Sequence, residues 1–477
     1  MIKVLSITSE CAPLIKTGGL ADVAGALPLA LTRQGCEMRT LLPGYRAIMG
    51  KLGQTKKVAT FRNLFGGKAT LLVCSVAGLD LLVLDAPHLF DRDGGIYVDA
   101  AGQDWPDNPE RFAALSFAAA HIGGGALDWT PDILHGHDWQ AGLTPEYLHS
   151  AGVQTPFVFT IHNIAFHGNC SSDKLGDLHL DQARFDVDHF EFWGQISALK
   201  AGLMGAAKIN TVSRTYAEEL LTPEFGMGLD GVLARRKADL TGIVNGIDTA
   251  AWDPQTDPNI KPFKSPAGKA ANKKALQKTF GLTPADGPLC VLISRLTEQK
   301  GIDLLIDALP TLLERGGQLA LLGSGDPRLE VSLLEAAARH DNVAVRIGYD
   351  EPLSHQMVAG GDAILVPSRF EPCGLTQLYG LRYGALPLVA LTGGLADTVI
   401  NASPAAMSSG VATGIQFFPV TAPALSNAFT RLHDLYRQPK LWQQMQRNAM
   451  KQQVGWETSA AAYRAIYAPL VEAGNAQ

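Results

Sequence analysis

Two cationic turns that contain glycine could bind a diphosphate. The first is residues 16–20 (KTGGL), which precede a helical pattern, and the second runs from Arg295 to Lys300-Gly301. Arginine offers a planar fork of N–H donors, lysine offers a point charge, and glycine lets the backbone approach an anion closely. Neither turn has the residue order of a P-loop or of a dinucleotide-binding fingerprint. Each could also be an ordinary charged surface turn.

The segment from Glu371 to Thr376 (EPCGLT) follows another apolar run and predicts a helix start. The free N–H groups at the beginning of a helix attract a phosphate, and Glu371 just before them could hydrogen-bond sugar hydroxyls. The alternative is that Glu371 only favours the start of the helix. A nucleophilic Cys373 is a less favoured alternative, because no matching His/Asn signature accompanies it.

Two patterns in the first half of the sequence have the spacing of metal ligands. They are HGHDW at residues 135–139 and the D-x-D pattern DRD at residues 91–93. No further ligand cluster completes the first, and two glycines after the second favour a turn, so we expect no metal site. His162-Asn163 follows an apolar run, where a histidine can be functional or only a structural hydrogen-bonding group.

The elements that must position these residues are short apolar runs, each followed by a helical pattern. The runs are residues 2–9, 38–43, 81–87, 133–138, 157–163 and 209–213, then 289–295, 319–325, 343–349, 363–369 and 386–392. Such alternation predicts parallel sheets covered on both faces. Ligands of these sheets bind beyond the carboxyl ends of the strands, where all of the candidates above lie.

The two sets of runs predict two domains. Residues 252–271 between the sets contain four prolines and few large apolar side chains, which indicates an exposed loop. We place the hinge slightly earlier, near Asn245-Gly246, and predict domains over residues 1–244 and 245–456. The final segment has an apolar stripe from Tyr463 to Leu470 at helical spacing, which either domain could bury.

One short pattern occurs twice. TGGLAD at residues 17–22 reappears at residues 392–397, and each copy follows an apolar run and opens a helical pattern. We interpret the two copies as one local backbone solution used twice and not as a long repeat.

Composition excludes several classes of protein. The chain has 477 residues, 46% of them apolar and 18% charged, which is enough for two cores. Its net charge of −6 lacks the basic excess of a nucleic-acid-binding protein. Six scattered cysteines without a C-x-x-C pair favour reduced thiols in the cytoplasm. The first residues lack the pattern of a secretory signal, and no apolar run is long enough for a membrane span.

Six sequence blocks together resemble the bacterial glycogen synthase and plant starch synthase family, in order over essentially the whole chain. The blocks are KTGGL at 16–20, HDW at 137–139, TIHN at 160–163, NGID at 245–248, SRLT with KG at 294–301, and PSRFEPCGLT at 367–376. The first block and SRFEPCGL within the last are highly specific for this family.

The resemblance implies an α/β fold of two Rossmann-like doubly wound domains that face a cleft, the GT-B type of glycosyltransferase. Acceptor glucan would lie mainly on the first domain and nucleotide mainly on the second, with helix 457–477 crossing back to the first. The implied reaction is retaining transfer of glucose from ADP-glucose to the non-reducing end of an α-1,4-glucan such as glycogen or a malto-oligosaccharide. No carboxylate pair for double displacement is evident. The resemblance implies front-face attack by the acceptor hydroxyl, with the departing phosphate taking the proton. Cationic side chains would take the place of a metal ion, so no cofactor is expected.

The resemblance also implies roles for individual residues. The catalytic group is His162, Glu371, Arg295 and Lys300. The donor-binding group is Lys16, Gly18, Gly19, Asp22, Asn245, Tyr349, Cys373, Gly374, Leu375 and Thr376, in which Tyr349 would stack on adenine. The group that binds the acceptor and the sugar is Asp138, Trp139, Asn163 and Tyr97.

Three other functions stay open at this point. A related transferase of the sucrose- or trehalose-synthase type would use another donor or acceptor. A nucleotide-dependent dehydrogenase would need the G-x-G-x-x-G fingerprint and a ribose-binding acid, which are missing. A non-catalytic glycan-binding scaffold would not need a complete set of Lys16, Arg295 and Lys300.

Overall fold

The computed structural model describes residues 1–475 and divides the chain into two compact units. The first unit is Met1–Asn245 together with the chain from Trp456 onward, and the second is Gly246–Gly455. The last two residues of the predicted helix 457–477 lie outside the described residues. None of the helices within residues 1–475 combines the length and the apolar character that a membrane span needs.

The first unit is built on a nine-stranded sheet with the order β12-β11-β7-β6-β1-β2-β5-β4-β3. A small second sheet has the order β8-β10-β9. The strands of the two sheets are β1 Ile2–Ile7, β2 Cys36–Pro43, β3 Lys56–Leu64, β4 Gly67–Val76, β5 Leu79–Asp85, β6 Ile133–His137, β7 Phe157–Ile161, β8 Asn169–Ser171, β9 Glu191–Phe192, β10 Gln195–Ser197, β11 Lys208–Thr211 and β12 Leu240–Gly242. Pairing is parallel from β12 to β5 and antiparallel from β5 to β3.

Helices connect the parallel strands of the first unit. They are Gly19–Thr32, Arg46–Met49, Pro87–Phe90, Asn108–Gly123, Thr144–Ser150, Ala198–Gly205, Arg214–Glu219, Asp230–Arg235 and Glu457–Asn475. The last of them buries Tyr463 and Tyr467 completely in a cluster with Val4, Leu27 and Ile133. Full burial of a large apolar side chain contributes about 1.5–3 kcal/mol, so this helix is part of the core of the first unit.

The second unit has a six-stranded parallel sheet with the order β15-β14-β13-β16-β17-β18. Its strands are β13 Leu289–Ile293, β14 Gln318–Gly323, β15 Val343–Ile347, β16 Ala363–Val366, β17 Leu386–Ala390 and β18 Ile415–Phe417. Its helices are Lys269–Phe280, Ile302–Glu314, Pro327–Arg339, Glu351–Gly360, Thr376–Tyr383, Gly393–Thr398, Pro404–Ser408, Ala422–Tyr436 and Pro439–Met450. The predicted fold class, α/β with parallel sheets in two domains, is confirmed.

Candidate active site

A buried carboxylate holds the Lys16 turn at the end of β1. Glu10, which is only 3% exposed, accepts hydrogen bonds from the Thr17 hydroxyl and from the peptide N–H groups of Thr17 and Gly18, the last at 3.1 Å. Lys16 is half-exposed, and its Nζ donates to Asp22 Oδ1 at 2.8 Å. The structure therefore groups Lys16, Gly18 and Asp22 at the start of the helix Gly19–Thr32.

Tyr97 belongs to the same group by its hydrogen bonds. Its hydroxyl donates to Glu10 Oε1 at 2.7 Å and lies 2.7 Å from Ser9 Oγ. Burial, followed by the nearby charge of Glu10, raises the pKa of the phenol well above its usual value. Tyr97 was predicted to bind the acceptor, yet its hydroxyl is already bonded within the protein and supports the Lys16 turn. Ring contacts through Phe112 still connect Tyr97 to Trp139.

A line of hydrogen bonds joins the carboxyl ends of β1, β6 and β7. Ser6 Oγ lies 3.1 Å from His137 Nε2, and His137 Nδ1 lies 3.0 Å from His162 Nε2. Burial lowers the pKa of both imidazoles, that of His137 to about 3, so both rings are neutral at pH 7. His162 is therefore held through one ring nitrogen, and its Nδ1 makes no hydrogen bond within residues 1–475.

The residues with metal-like spacing use their donor atoms in protein contacts. His135 Nε2 lies 2.6 Å from Thr160 Oγ1, and its Nδ1 lies 2.8 Å from the Tyr467 hydroxyl. Asp91 and Asp93 both pair with Arg46 at the surface. Across the part of the chain that the structure describes, three or more His, Cys, Asp or Glu side chains nowhere form a group that could hold a metal.

Asp138 fixes the turn that carries His162 and Asn163. Asp138 adopts a φ of 54°, and its Oδ1 accepts from the peptide N–H groups of His162 at 2.7 Å and of Asn163 at 3.3 Å. Burial raises the pKa of Asp138 to about 7, and the two N–H donors oppose that rise. Trp139 packs edge-on against Phe112. The three predicted sugar-binding residues Asp138, Trp139 and Asn163 therefore lie around the same strand ends.

In the second unit, Lys300 and Glu371 form a largely buried ion pair. Lys300 Nζ donates to Glu371 Oε2 at 2.6 Å, and Ser368 Oγ donates to the same oxygen at 2.8 Å. Glu371 is 7% exposed, and its Oε1 is not hydrogen-bonded to any group within the described residues. A Cβ at Gly301 would lie 2.0 Å from the carbonyl oxygen of Pro367, so only glycine allows the Lys300 turn to approach this closely.

The second copy of the repeated pattern packs on the Glu371 segment. The Gly394 N–H donates to the carbonyl oxygens of Glu371 and Pro372, both at 3.1 Å. A Cβ at Gly393 would lie 2.0 Å from the Glu371 carbonyl oxygen, whereas a Cβ at Gly18 or Gly19 would meet no atom within 4 Å. The interpretation of the two copies as one local solution is therefore wrong, because only the second copy has glycines that are required by close packing.

The remaining predicted donor-binding residues lie at several strand and helix ends. The helix Thr376–Tyr383 begins at Thr376 with Leu375 as its cap residue, and Gln377 Nε2 donates to the carbonyl oxygens of Cys373 and Gly374 just before it. Three further predicted residues, one from the catalytic group and two from the donor-binding group, follow other strands. They are Arg295, exposed after β13, Tyr349, 69% exposed after β15, and Asn245, buried at the end of the first unit.

Two known families match the two parts of this chain. Residues 3–235 match the model of the starch synthase catalytic domain, and residues 274–452 match that of glycosyl transferases group 1. Glycogen synthase of Jannaschia sp. strain CCS1 is 68% identical over 98% of this chain and 99% of its own length. This chain belongs to the bacterial glycogen synthase family. Glycogen synthase of Paracoccus denitrificans is 61% identical, again over 98% and 99%.

Solved structures extend the family comparison to the fold. The catalytic domain of starch synthase IV from Arabidopsis thaliana, solved with ADP and acarbose, is 31% identical, with a TM-score of 0.88 over 99% of each chain. Sucrose-phosphate synthase from Thermosynechococcus elongatus is 18% identical, with a TM-score of 0.61, which supports the GT-B fold alone. The predicted family and fold are confirmed.

The sequence did not reveal the residues that fix the positions of the predicted site residues. Glu10, Ser6 and Ser368 support the Lys16 turn, His137 and Glu371 respectively. Ser6 and Glu10 have no sequence signal beyond a position near the end of a predicted strand, which many residues without such a role share. Ser368 lies inside the family block at 367–376, but the block does not indicate its bond to Glu371. The spacing of His137 to His135 drew attention to it, and the two ring centroids lie 4.3 Å apart, but the hydrogen bonds of His137 are with Ser6 and His162.

Proposed function

We propose that this protein transfers glucose from ADP-glucose to the non-reducing end of an α-1,4-glucan, with retention of configuration. Glycogen and malto-oligosaccharides are the proposed acceptors. The observation that carries the proposal is the cluster of Lys300, Ser368 and Glu371, in which a cation for a phosphate and a carboxylate for a sugar lie 2.6 Å apart. Family membership gives the donor and the acceptor.

On the donor side, Arg295 and Lys300 are proposed to bind the diphosphate, and Lys16 of the first unit is also proposed to bind the donor. Lys300 would then share its charge between Glu371 and a phosphate oxygen. The N–H groups that open the helix Thr376–Tyr383 add positive potential. The exposed ring of Tyr349 is proposed to stack on adenine. These fixed positive groups stabilise the charge that develops on the leaving diphosphate.

On the sugar side, Glu371 Oε1 and His162 Nδ1 are proposed to bind hydroxyl groups of the transferred glucose. The bond between C1 and the diphosphate oxygen breaks, and the acceptor hydroxyl bonds to C1 from the same face. The departing phosphate oxygen takes the proton of that hydroxyl. This route retains the configuration at C1 without the paired carboxylates of a retaining glycosidase.

Transfer of labelled glucose to glycogen tests the proposal. Wild-type protein should label glycogen from ADP-glucose, and unlabelled UDP-glucose should compete weakly. Lys300→Ala should lower kcat by about 10²- to 10³-fold, as for loss of one fixed donor to a developing charge. Lys57→Ala, at an exposed lysine of the edge strand β3, is the matched control. Equal transfer from UDP-glucose, or full activity in Lys300→Ala, would contradict the proposal.

We further propose that the reaction needs no metal ion, because Arg295 and Lys300 supply the positive charge that a divalent cation supplies in other sugar transferases. Turnover should be unchanged by excess EDTA. We also propose the cytoplasm as the compartment. The six cysteines are all free thiols, which a reducing compartment maintains.

A further inference from the structure

Trp193 occupies an unusual position in the first unit. It lies at the tip of the hairpin formed by β9 and β10, with its side chain 84% exposed. Trp193 has a φ of 53° and Gly194 a φ of 79°, so both residues of the two-residue turn are left-handed. The Gly194 N–H donates to Glu191 Oε1 at 2.7 Å, which fixes the turn.

A turn of this shape is ordinarily built from Asn-Gly or Asp-Gly, because a left-handed φ strains other side chains. Tryptophan is bulky and apolar, so neither the turn nor the solvent favours it at this position. An exposed residue held in a strained conformation is an observation that calls for a functional explanation.

A second turn of the same kind lies beside the first. Met227 has a φ of 50° and Gly228 a φ of 83°, and the Leu229 N–H donates to the Gly226 carbonyl oxygen at 2.8 Å. Met227 is 41% exposed. A Cβ placed on Gly228 would lie 3.2 Å from Phe192 Cζ and 4.0 Å from Trp193 Nε1, so the two turns are adjacent. Together Trp193 and Met227 form what we call the hairpin patch.

The hairpin patch is connected to the predicted sugar-binding residues. Phe192, next to Trp193, has its ring 5.2 Å from the ring of His167. His167 follows Phe166, which is 56% exposed and whose N–H donates to the Asn163 carbonyl oxygen at 3.5 Å. Chain neighbours and ring contacts therefore link the turn at Asn163 to Trp193 through Phe166, His167 and Phe192.

We propose that the hairpin patch binds the body of the α-glucan acceptor, several glucose units away from the end that reacts. This inference rests on the proposed function. A polymer that reacts only at its terminal unit needs its other units held near the site. The pyranose ring presents a face of C–H bonds with partial positive charge, which stacks on the electron-rich face of an indole. Trp193 stands on a turn whose backbone is already ordered by the bond to Glu191, so only its side chain is ordered on binding.

Three variants test the inference by calorimetric titration with maltoheptaose in the absence of donor. Trp193→Asn places the preferred residue in the turn, so its unfolding midpoint should equal or exceed that of wild type, whereas its affinity for maltoheptaose should fall about five- to tenfold. Trp193→Tyr keeps an aromatic face and should stay within about twofold. Val331→Asn, at a 55% exposed position of the second unit, is the control and should bind as wild type.

Steady-state kinetics give an independent measurement. In Trp193→Asn the KM for maltoheptaose should rise while the KM for ADP-glucose stays the same. Wild-type affinity in Trp193→Asn, or an equal loss in Trp193→Tyr and Trp193→Asn, would overturn the inference. So would an unchanged glucan affinity together with a change of oligomeric state, which would assign the patch to a second copy of this chain. If the wild-type protein transfers glucose but Trp193→Asn binds glucan with unchanged affinity, this inference is refuted and the proposed function stands.

Discussion

The two ring nitrogens of His162 are not equivalent, and the residues behind it decide which one carries the proton. A neutral imidazole has one N–H group. If Ser6 donates to His137 Nε2, then His137 Nδ1 donates to His162 Nε2, and the proton of His162 is on Nδ1. The opposite direction of these bonds leaves a lone pair on Nδ1. His137 therefore controls whether His162 offers the sugar a donor or an acceptor.

His137→Asn and His137→Leu test this control. An asparagine amide places an N–H group near the former Nδ1 and can hold the His162 tautomer, whereas leucine cannot. We expect His137→Leu to lose about 10²-fold or more in kcat and His137→Asn to lose much less. Nitrogen-15 NMR of the His162 ring should show one tautomer in wild type and His137→Asn and a mixture in His137→Leu. A single, unchanged tautomer in His137→Leu would contradict the expectation.

The raised pKa of Asp138 predicts that the free energy of unfolding depends on pH. Its folded pKa of about 7 is above the value of an unfolded Asp, so the folded state binds this proton more tightly. The contribution of Asp138 to stability is then fully present below about pH 4 and is lost as the pH rises to 7.

Asp138→Asn keeps Oδ1 as an acceptor for the two peptide N–H groups but cannot ionise. Relative to wild type, the variant should gain about 2–4 kcal/mol in the free energy of unfolding between pH 4 and pH 7.5. The buried histidines titrate in both proteins and cancel in this difference. Urea unfolding at several pH values measures it, and a difference that does not change with pH would refute the raised pKa.

Among individual residues, those that carry charge in specific motifs could be predicted from the sequence. The residues that fix their positions could not. Lys300 and Glu371 were found because cations and carboxylates in turns after apolar runs indicate chemistry. Glu10 was not found, because its partners are peptide N–H groups that any sequence provides. The contact between His137 and His162 depends on the pairing of β6 with β7, which the order of residues does not specify.

Among the elements, the turn between β13 and the next helix contains a glycine that packs closely against a neighbouring turn. Gly301 has a φ of 68° and faces the Pro367 carbonyl oxygen, whereas Gly281 has a φ of 70° and open space around it. Gly281→Ala should therefore cost only about 1 kcal/mol, for the left-handed conformation. Gly301→Ala should cost about 2 kcal/mol more, for displacement of the neighbouring turn.

Chemical denaturation of both variants measures the two effects, and the KM for ADP-glucose gives a second reading. Only Gly301→Ala should raise that KM, because Lys300 precedes Gly301 directly. Equal destabilisation of the two variants would show that the close approach to Pro367 is unimportant.

Most strands of the parallel sheets were predictable, whereas the short parallel strands β12 and β18 and most strands of the hairpins were not. A parallel strand between two helical layers is buried on both faces, so β13, β14 and β17 read as continuous apolar runs. The edge strand β3 is largely exposed, so its sequence has no such run. The short strands β9 and β10 are specified mainly by the turn between them, which contains Trp where the usual turn signal would be Asn or Asp.

For the whole molecule, the last helix makes the stability of the first unit depend on the end of the chain. The Tyr467 hydroxyl is fully buried and bonds to His135 Nδ1 at 2.8 Å. Tyr467→Phe should leave that nitrogen without a partner and destabilise the first unit by about 1–3 kcal/mol. Tyr436→Phe, which removes a hydroxyl bonded to Lys273 in the second unit, is the control.

Hydrogen exchange resolves the two units and locates the effect. Tyr467→Phe should increase exchange in β1, β6 and β7 and leave β13 to β17 protected as in wild type. Increased exchange throughout both units would mean that they unfold together and would contradict the local effect.

The order in which the ribosome makes the chain adds a consequence. The groove of the first unit that receives Tyr463 and Tyr467 is lined by residues made early, such as Val4 and Ile133. More than 200 residues separate Asn245 from Tyr467, so at roughly 5–20 residues per second the nascent groove stays open for on the order of tens of seconds. The second unit can finish folding in that interval, although its synthesis starts later. A premature stop near the end of the message would therefore damage the half of the protein that was translated first.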